Sequence, residues 1–81
     1  MSSWRVPTLL RMKTRARELF ARRVRELRIE RGLSQDELAD AAGLHRTYIG
    51  TVERGEQSIG VDNVEKIAKA LKVPIMELFR E

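Results

Sequence analysis

The 81 residues contain no cysteine, so the fold has neither a disulfide nor a thiolate site, as suits a reducing cytoplasm. The one histidine, His45, leaves a metal ion without a second soft ligand, and no metal site is expected. No apolar run approaches the roughly 18 residues that a membrane span needs, and the start, MSSWRVPTLLRMK, has too short an apolar stretch for a secretory signal. A glycine-rich phosphate loop and a nucleophile motif are both missing, and the carboxylates are scattered. The expectation is a cytoplasmic protein that is not an enzyme and needs no cofactor. Length is scarce too: a single domain of this size has a marginal core, which a partner subunit would help.

What is present is charge on a helical pattern. Hydrophobic residues make up 42% and charged residues 35%, the balance of a soluble helical chain. The net charge of +4 is unevenly spread, since residues 1–31 carry ten Arg or Lys against three Glu, and residues 32–81 carry six against nine Asp or Glu. A basic front third favours a polyanion, either nucleic acid or anionic lipid.

Residues 34–55, SQDELADAAGLHRTYIGTVERG, organise the rest. Ser34 and Glu37 have capping-box spacing, so a helix starts there; Leu38, Ala39 and Ala42 give it an apolar stripe, and Gly43 ends it. A second short helix follows from about His45 to Arg54, with Ile49 and Val52 inward and Gly55 as the stop. Two brief helices joined by a glycine turn outline a helix-turn-helix unit. Before it, Ala16, Phe20, Val24 and Leu27 form the inward stripe of a helix over about 14–31, beneath Arg15, Arg17, Arg22, Arg23 and Arg25, which read as a solvated basic face. After it, Val61, Val64, Ile67, Ala68 and Leu71 line a helix with Gly60 at its cap position, and Pro74 opens a last short helix to about Arg80. The first ten or so residues, with Trp4 and Pro7, read as an irregular arm. The expected organisation is an arm over 1–13 and an all-α, five-helix domain over 14–81.

The match of Gln35, Leu38, Ala39, Gly43, Leu44, Ile49 and Val52, with GLSQ before and VERG after, resembles the Cro and phage-repressor (XRE) helix-turn-helix family over roughly Ala16 to Phe79. The string HRTYIGTVERGEQ, residues 45–57, is similar more particularly to the controller proteins of restriction-modification systems. The resemblance implies a compact lambda-repressor-like domain that binds double-stranded DNA as a homodimer and regulates transcription, with RNA polymerase a further partner if it activates. A prophage-type repressor or an antitoxin would use the same motif. A different class of function is an interaction module that docks its basic first helix on lipid or an acidic protein, against which stands the lack of any spare apolar face on that helix.

Arg46, Thr47, Gly50, Thr51 and Arg54 are the outward residues of the second helix, and short or basic side chains suit entry into a major groove. The family places base reading at Arg46, Thr47 and Thr51. Phosphate contacts are expected from Gln35, Tyr48, Arg54, Gln57 and Ser58, which would fix register without carrying sequence information. Without the family, Arg46 and Tyr48 would equally suit a plain solvated surface. Gly50, unfavourable in a helix, would be explained by close approach to DNA. Arg28 and Glu53 match a family ion pair that locks the first helix to the reading helix. Ile75, Met76, Leu78 and Phe79 hold more apolar surface than one side of a short helix can hide; by family analogy they form the dimer interface, the alternative being that they cap a monomer's core.

Overall fold

The computed structural model describes residues 14–81; the expected arm at 1–13 and its Trp4 lie outside the described residues. Four α-helices and one 3-10 helix follow: α1 (Arg15–Glu30), α2 (Gln35–Ala42), α3 (Arg46–Glu53), α4 (Val61–Leu71) and the 3-10 helix Ile75–Phe79. Each start has a local cause. The Thr14 hydroxyl accepts from the Arg17 N–H at 3.0 Å, and the box on α2 is complete, with Glu37 N–H donating to Ser34 Oγ at 3.0 Å and Ser34 N–H to the Glu37 carboxylate at 2.8 Å. α3 has a cap that residue type alone does not suggest: His45 Nδ1 accepts from the Thr47 N–H at 3.1 Å, which requires an unprotonated Nδ1.

Gly43 ends α2 at φ 70°, and Leu44 N–H turns back to the Ala39 carbonyl at 2.9 Å. α4 ends with the same left-handed turn at Lys72, φ 61°, where a side chain is costly and a glycine would relieve it. The last element is a 3-10 helix rather than the expected α-helix. Five residues are too few to establish the longer repeat, and Glu77 N–H bonds to the Pro74 carbonyl at 3.0 Å, three residues back.

One core joins all five elements. Phe20, Val24 and Leu27 of α1 meet Leu38 and Ala39 of α2, Ile49 and Val52 of α3, Ile67 and Leu71 of α4, and Leu78. Two residues assigned inward from the pattern are in fact exposed, Ala16 and Val61, the latter at 81%. Both stand at the first turn of their helices, beside a shallow open groove shared with Ile59 and Phe79, so the apolar stripe overruns the body that covers it. Leu78 is corrected in the opposite sense. Expected at a dimer interface, it is completely buried inside its own subunit, because the 3-10 helix turns it towards α1 and α4, while Phe79 lays its ring 5.3 Å from that of Phe20.

Two arginines of α1 are structural rather than solvated. Arg23 donates from Nε to the Glu77 carbonyl at 2.8 Å and from Nη2 to the Glu77 carboxylate at 3.2 Å, tying the 3-10 helix to α1. Arg28 donates from Nε and Nη2 to the two oxygens of Glu53, at 2.6 and 3.0 Å, and from Nη1 to the Leu33 carbonyl at 2.9 Å. The Glu53 side chain is only 3% exposed, and its hydrogen bond raises the Arg28 pKa above the ordinary value, with burial acting in the opposite direction.

Two substitutions measure these contacts by urea denaturation. Leu78→Ala empties a fully buried site and should destabilise by about 2–5 kcal/mol. Glu53→Ala strands the Arg28 charge and should cost on the order of 3–5 kcal/mol, with Arg28→Met recovering a large part in the double variant. Additive losses in the double variant would show that the pair does not act as a unit.

Candidate nucleic-acid interface

The inward residues of α3, Ile49 and Val52, bury one side of the helix and so decide what the other side presents. Arg46 and Thr47 are exposed at its start, Arg54 at its end, and Tyr48 and Thr51 are half-buried between. Gln35 and Asp36, at the start of α2, come alongside, because the Gly43 turn folds α2 against α3. Gln35, Asp36, Arg46, Thr47, Gly50 and Arg54 together line a shallow polar hollow of about 230 Å³.

The charged groups of the hollow and Gln35 already have partners. Arg46 Nη1 lies 3.5 Å from the Asp36 carboxylate, with both side chains well exposed at 70% and 62%. Arg54 Nε lies 3.1 Å from the Glu56 carboxylate. Gln35 donates one amide proton to Glu53 at 3.0 Å, joining the buried pair beneath and keeping its second proton for a ligand. Gly50 is corrected from an outward to a buried position. A Cβ there would stand 3.3 Å from Arg54 Nη1 and 3.6 Å from Gln35 Oε1, so the glycine leaves room for these two side chains within the hollow.

A second cluster lies outside the hollow. Thr51 donates its hydroxyl proton to the Tyr48 carbonyl at 2.8 Å and lies 3.1 Å from Gln57 Oε1, so it has acceptor capacity and a methyl to offer but no free proton. The Tyr48 hydroxyl accepts from Asn63 Nδ2 of α4 at 3.1 Å, which leaves its own O–H free to donate. Nothing in the sequence marks Asn63 or Asp36 as part of this surface. A polar residue in the first turn of a helix has too many ordinary reasons to be there, and only the packing of α4 and α2 against α3 gives these two a target. Gln57 and Ser58 are exposed in the loop after α3. Ile75, Met76 and Phe79 of the 3-10 helix are 44%, 78% and 41% exposed.

Thus the structure brings Gln35, Arg46, Thr47 and Arg54 to one hollow and Tyr48, Thr51 and Gln57 to the adjoining cluster. All are positioned by the short helices and the turn between them. Nothing in this set forms a nucleophile with its base; it is a surface of donors with two compensating carboxylates. Among the described residues no helix is long and apolar enough to cross a membrane.

Comparison with known proteins agrees with this architecture. The helix-turn-helix family HTH_3 matches residues 24–78. Control protein C.BamHI of Bacillus amyloliquefaciens is 44% identical over 68 residues, covering 83% of this chain and 84% of the relative. The phage CTXphi transcriptional repressor RstR of Vibrio cholerae is 42% identical over 60 residues, covering 74% of this chain and 54% of the repressor. Among solved structures, the restriction-modification controller protein C.AhdI of Aeromonas hydrophila superposes with a TM-score of 0.76 at 46% identity, over 78% of this chain and 96% of that one. With a matched span that includes every core element from Val24 to Leu78, the chain belongs to the HTH_3 helix-turn-helix family, as a transcriptional regulator close to the restriction-modification controller proteins.

Proposed function

We propose that the chain binds operator DNA as a homodimer and controls restriction-modification genes. The observation that carries this is the exposed start of α3, where a guanidinium and a threonine stand on a helix whose opposite face is locked into the core. Arg46 reaches guanine O6 and N7, Thr47 and Thr51 contact neighbouring base edges, and Gln35, Tyr48, Arg54, Gln57 and Ser58 take phosphates. Controllers are favoured over a phage-type repressor because the controllers C.BamHI and C.AhdI align with this chain over most of their own length. The basic-helix docking function is disfavoured, since Arg23 and Arg28 are spent on internal contacts and Arg15 and Arg22 are paired with Glu81 and Glu26.

Two copies place two reading helices on half-sites about 34–36 Å apart, or a multiple of that. Ile75 and Met76, with the exposed edge of Phe79, supply the apolar surface for pairing, while Leu78 belongs to each subunit's own interior. Contact with RNA polymerase during activation would come from an acidic surface other than Glu53, which is buried.

Selection from a random duplex pool should return a twofold-related motif with a guanine in each half-site. Arg46→Ala should lose that guanine preference, worth about 1–3 kcal/mol, with a smaller change in nonspecific affinity. Emergence of no motif at moderate salt would falsify the proposal. Sedimentation of an Ile75→Glu, Met76→Glu variant should give a monomer that keeps its helical content and melts at a lower temperature; a retained dimer mass would place the interface elsewhere.

A further inference from the structure

Asp36 carries the wrong sign for a surface that meets a polyanion. It lies on the rim of the polar hollow, 62% exposed, within 3.5 Å of the leading base-reading side chain. A carboxylate in the first turn of a helix has an ordinary use, since it suits the positive end of the helix dipole. Glu37 already serves that use in α2, closing the capping box with both of its bonds made. A second acid at this point therefore adds negative charge to the interface without completing the cap.

The atoms in contact point to its role. Asp36 Oδ2 lies 3.5 Å from Nη1 of Arg46, an ion pair across two helices rather than a hydrogen bond. A guanidinium is a planar fork of five donors, and a carboxylate held at Nη1 leaves the Nε and Nη2 protons side by side on the opposite edge. Two parallel N–H groups are what guanine O6 and N7 accept together. Arg46 is 70% exposed, so without a tether it would sample many rotamers and find phosphates as readily as a base edge.

We propose that Asp36 is a positioning residue for Arg46: its carboxylate biases the guanidinium through Nη1 so that the other edge turns to guanine, while its charge weakens binding to every duplex. This rests on the DNA-binding function proposed above. Two effects are distinct here. The tether raises discrimination at one base position and acts only through Arg46. The charge lowers affinity for any duplex, whatever its sequence, and acts whether or not Arg46 is present.

Competition binding separates them, using the selected operator, the same operator with the guanine pair changed to adenine–thymine, and a mixed-sequence duplex, all at one moderate salt concentration. Asp36→Asn should bind the mixed duplex several-fold tighter and lose about three- to tenfold in guanine-over-adenine discrimination. In an Arg46→Ala background, Asp36→Asn should still tighten mixed-duplex binding but leave the remaining discrimination unchanged. Asp36→Glu keeps the carboxylate and should keep most of the discrimination. Unaltered discrimination in Asp36→Asn, an equal loss with Arg46 absent, or equal losses in the Asn and Glu variants overturns the role of Asp36 alone. A wild-type protein that prefers none of the three duplexes overturns the DNA-reading surface and this role with it.

Discussion

A single carboxylate at the end of α3 holds the domain's geometry together. Glu53 closes α3 at its negative pole, where an acid is the unfavourable sign, and it is almost wholly withdrawn from water. Arg28 makes that position tolerable by meeting both oxygens, and Gln35 adds a third hydrogen bond from α2. Three helices are thereby fixed at one point, and the remaining Arg28 donor secures the Leu33 carbonyl in the turn between α1 and α2. A buried pair of this kind adds little net stability compared with a well-packed apolar replacement. Its value is directional: a greasy contact would let α3 slide or rotate, whereas three hydrogen bonds to two oxygens allow one orientation.

That orientation determines which residues of α3 are outward. With Ile49 and Val52 in the core and Glu53 tied down, Arg46 and Thr47 can only face away from the body. The same constraint explains Gly50, which lies beneath Arg54 and Gln35 where a larger side chain would crowd both. The reading surface is thus two layers deep. Outer groups stand ready for a ligand, and the layer below consists of residues whose polar atoms are already satisfied, with no buried side-chain polar atom left unpaired among the described residues.

Much of this was legible in the sequence because helix ends are local events. Thr14, Ser34, Gly43 and Gly60 punctuate the chain at the boundaries that form, and the spacing of Phe20, Val24, Leu27 and of Val64, Ile67, Leu71 marks the buried faces. The differences at Ala16, Val61, Leu78 and Arg23 come from tertiary placement. Ala16 and Val61 continue a correct period, but the period does not say where the covering body stops. Leu78 and Met76 are equally apolar in the string, and, two positions apart on a helix, they face opposite sides, one to the core and the other to solvent. Arg23 looks like its neighbours on α1, yet the carbonyl it serves is 54 residues away. The His45 cap is local, yet residue type does not suggest it, because a ring nitrogen is an uncommon substitute for a hydroxyl or carboxylate.

The charge distribution has the same layered character. A net charge of +4 overstates what is uncommitted, since most described arginines have a carboxylate within reach, including both that flank the polar hollow. For exposed pairs such as Arg46 with Asp36 and Arg54 with Glu56, the interaction is worth about 0–1 kcal/mol, whereas a bidentate guanine contact discriminates by roughly 1–3 kcal/mol. Under the DNA-binding function proposed above, exchanging or sharing the partner is therefore downhill only where the DNA offers the better acceptor. Near a mismatched base the arginine would keep its carboxylate and the duplex would gain nothing but repulsion. Weak surface ion pairs, negligible as sources of stability, would then bear on selectivity, and Glu53 would support it from beneath by keeping the hollow in one shape.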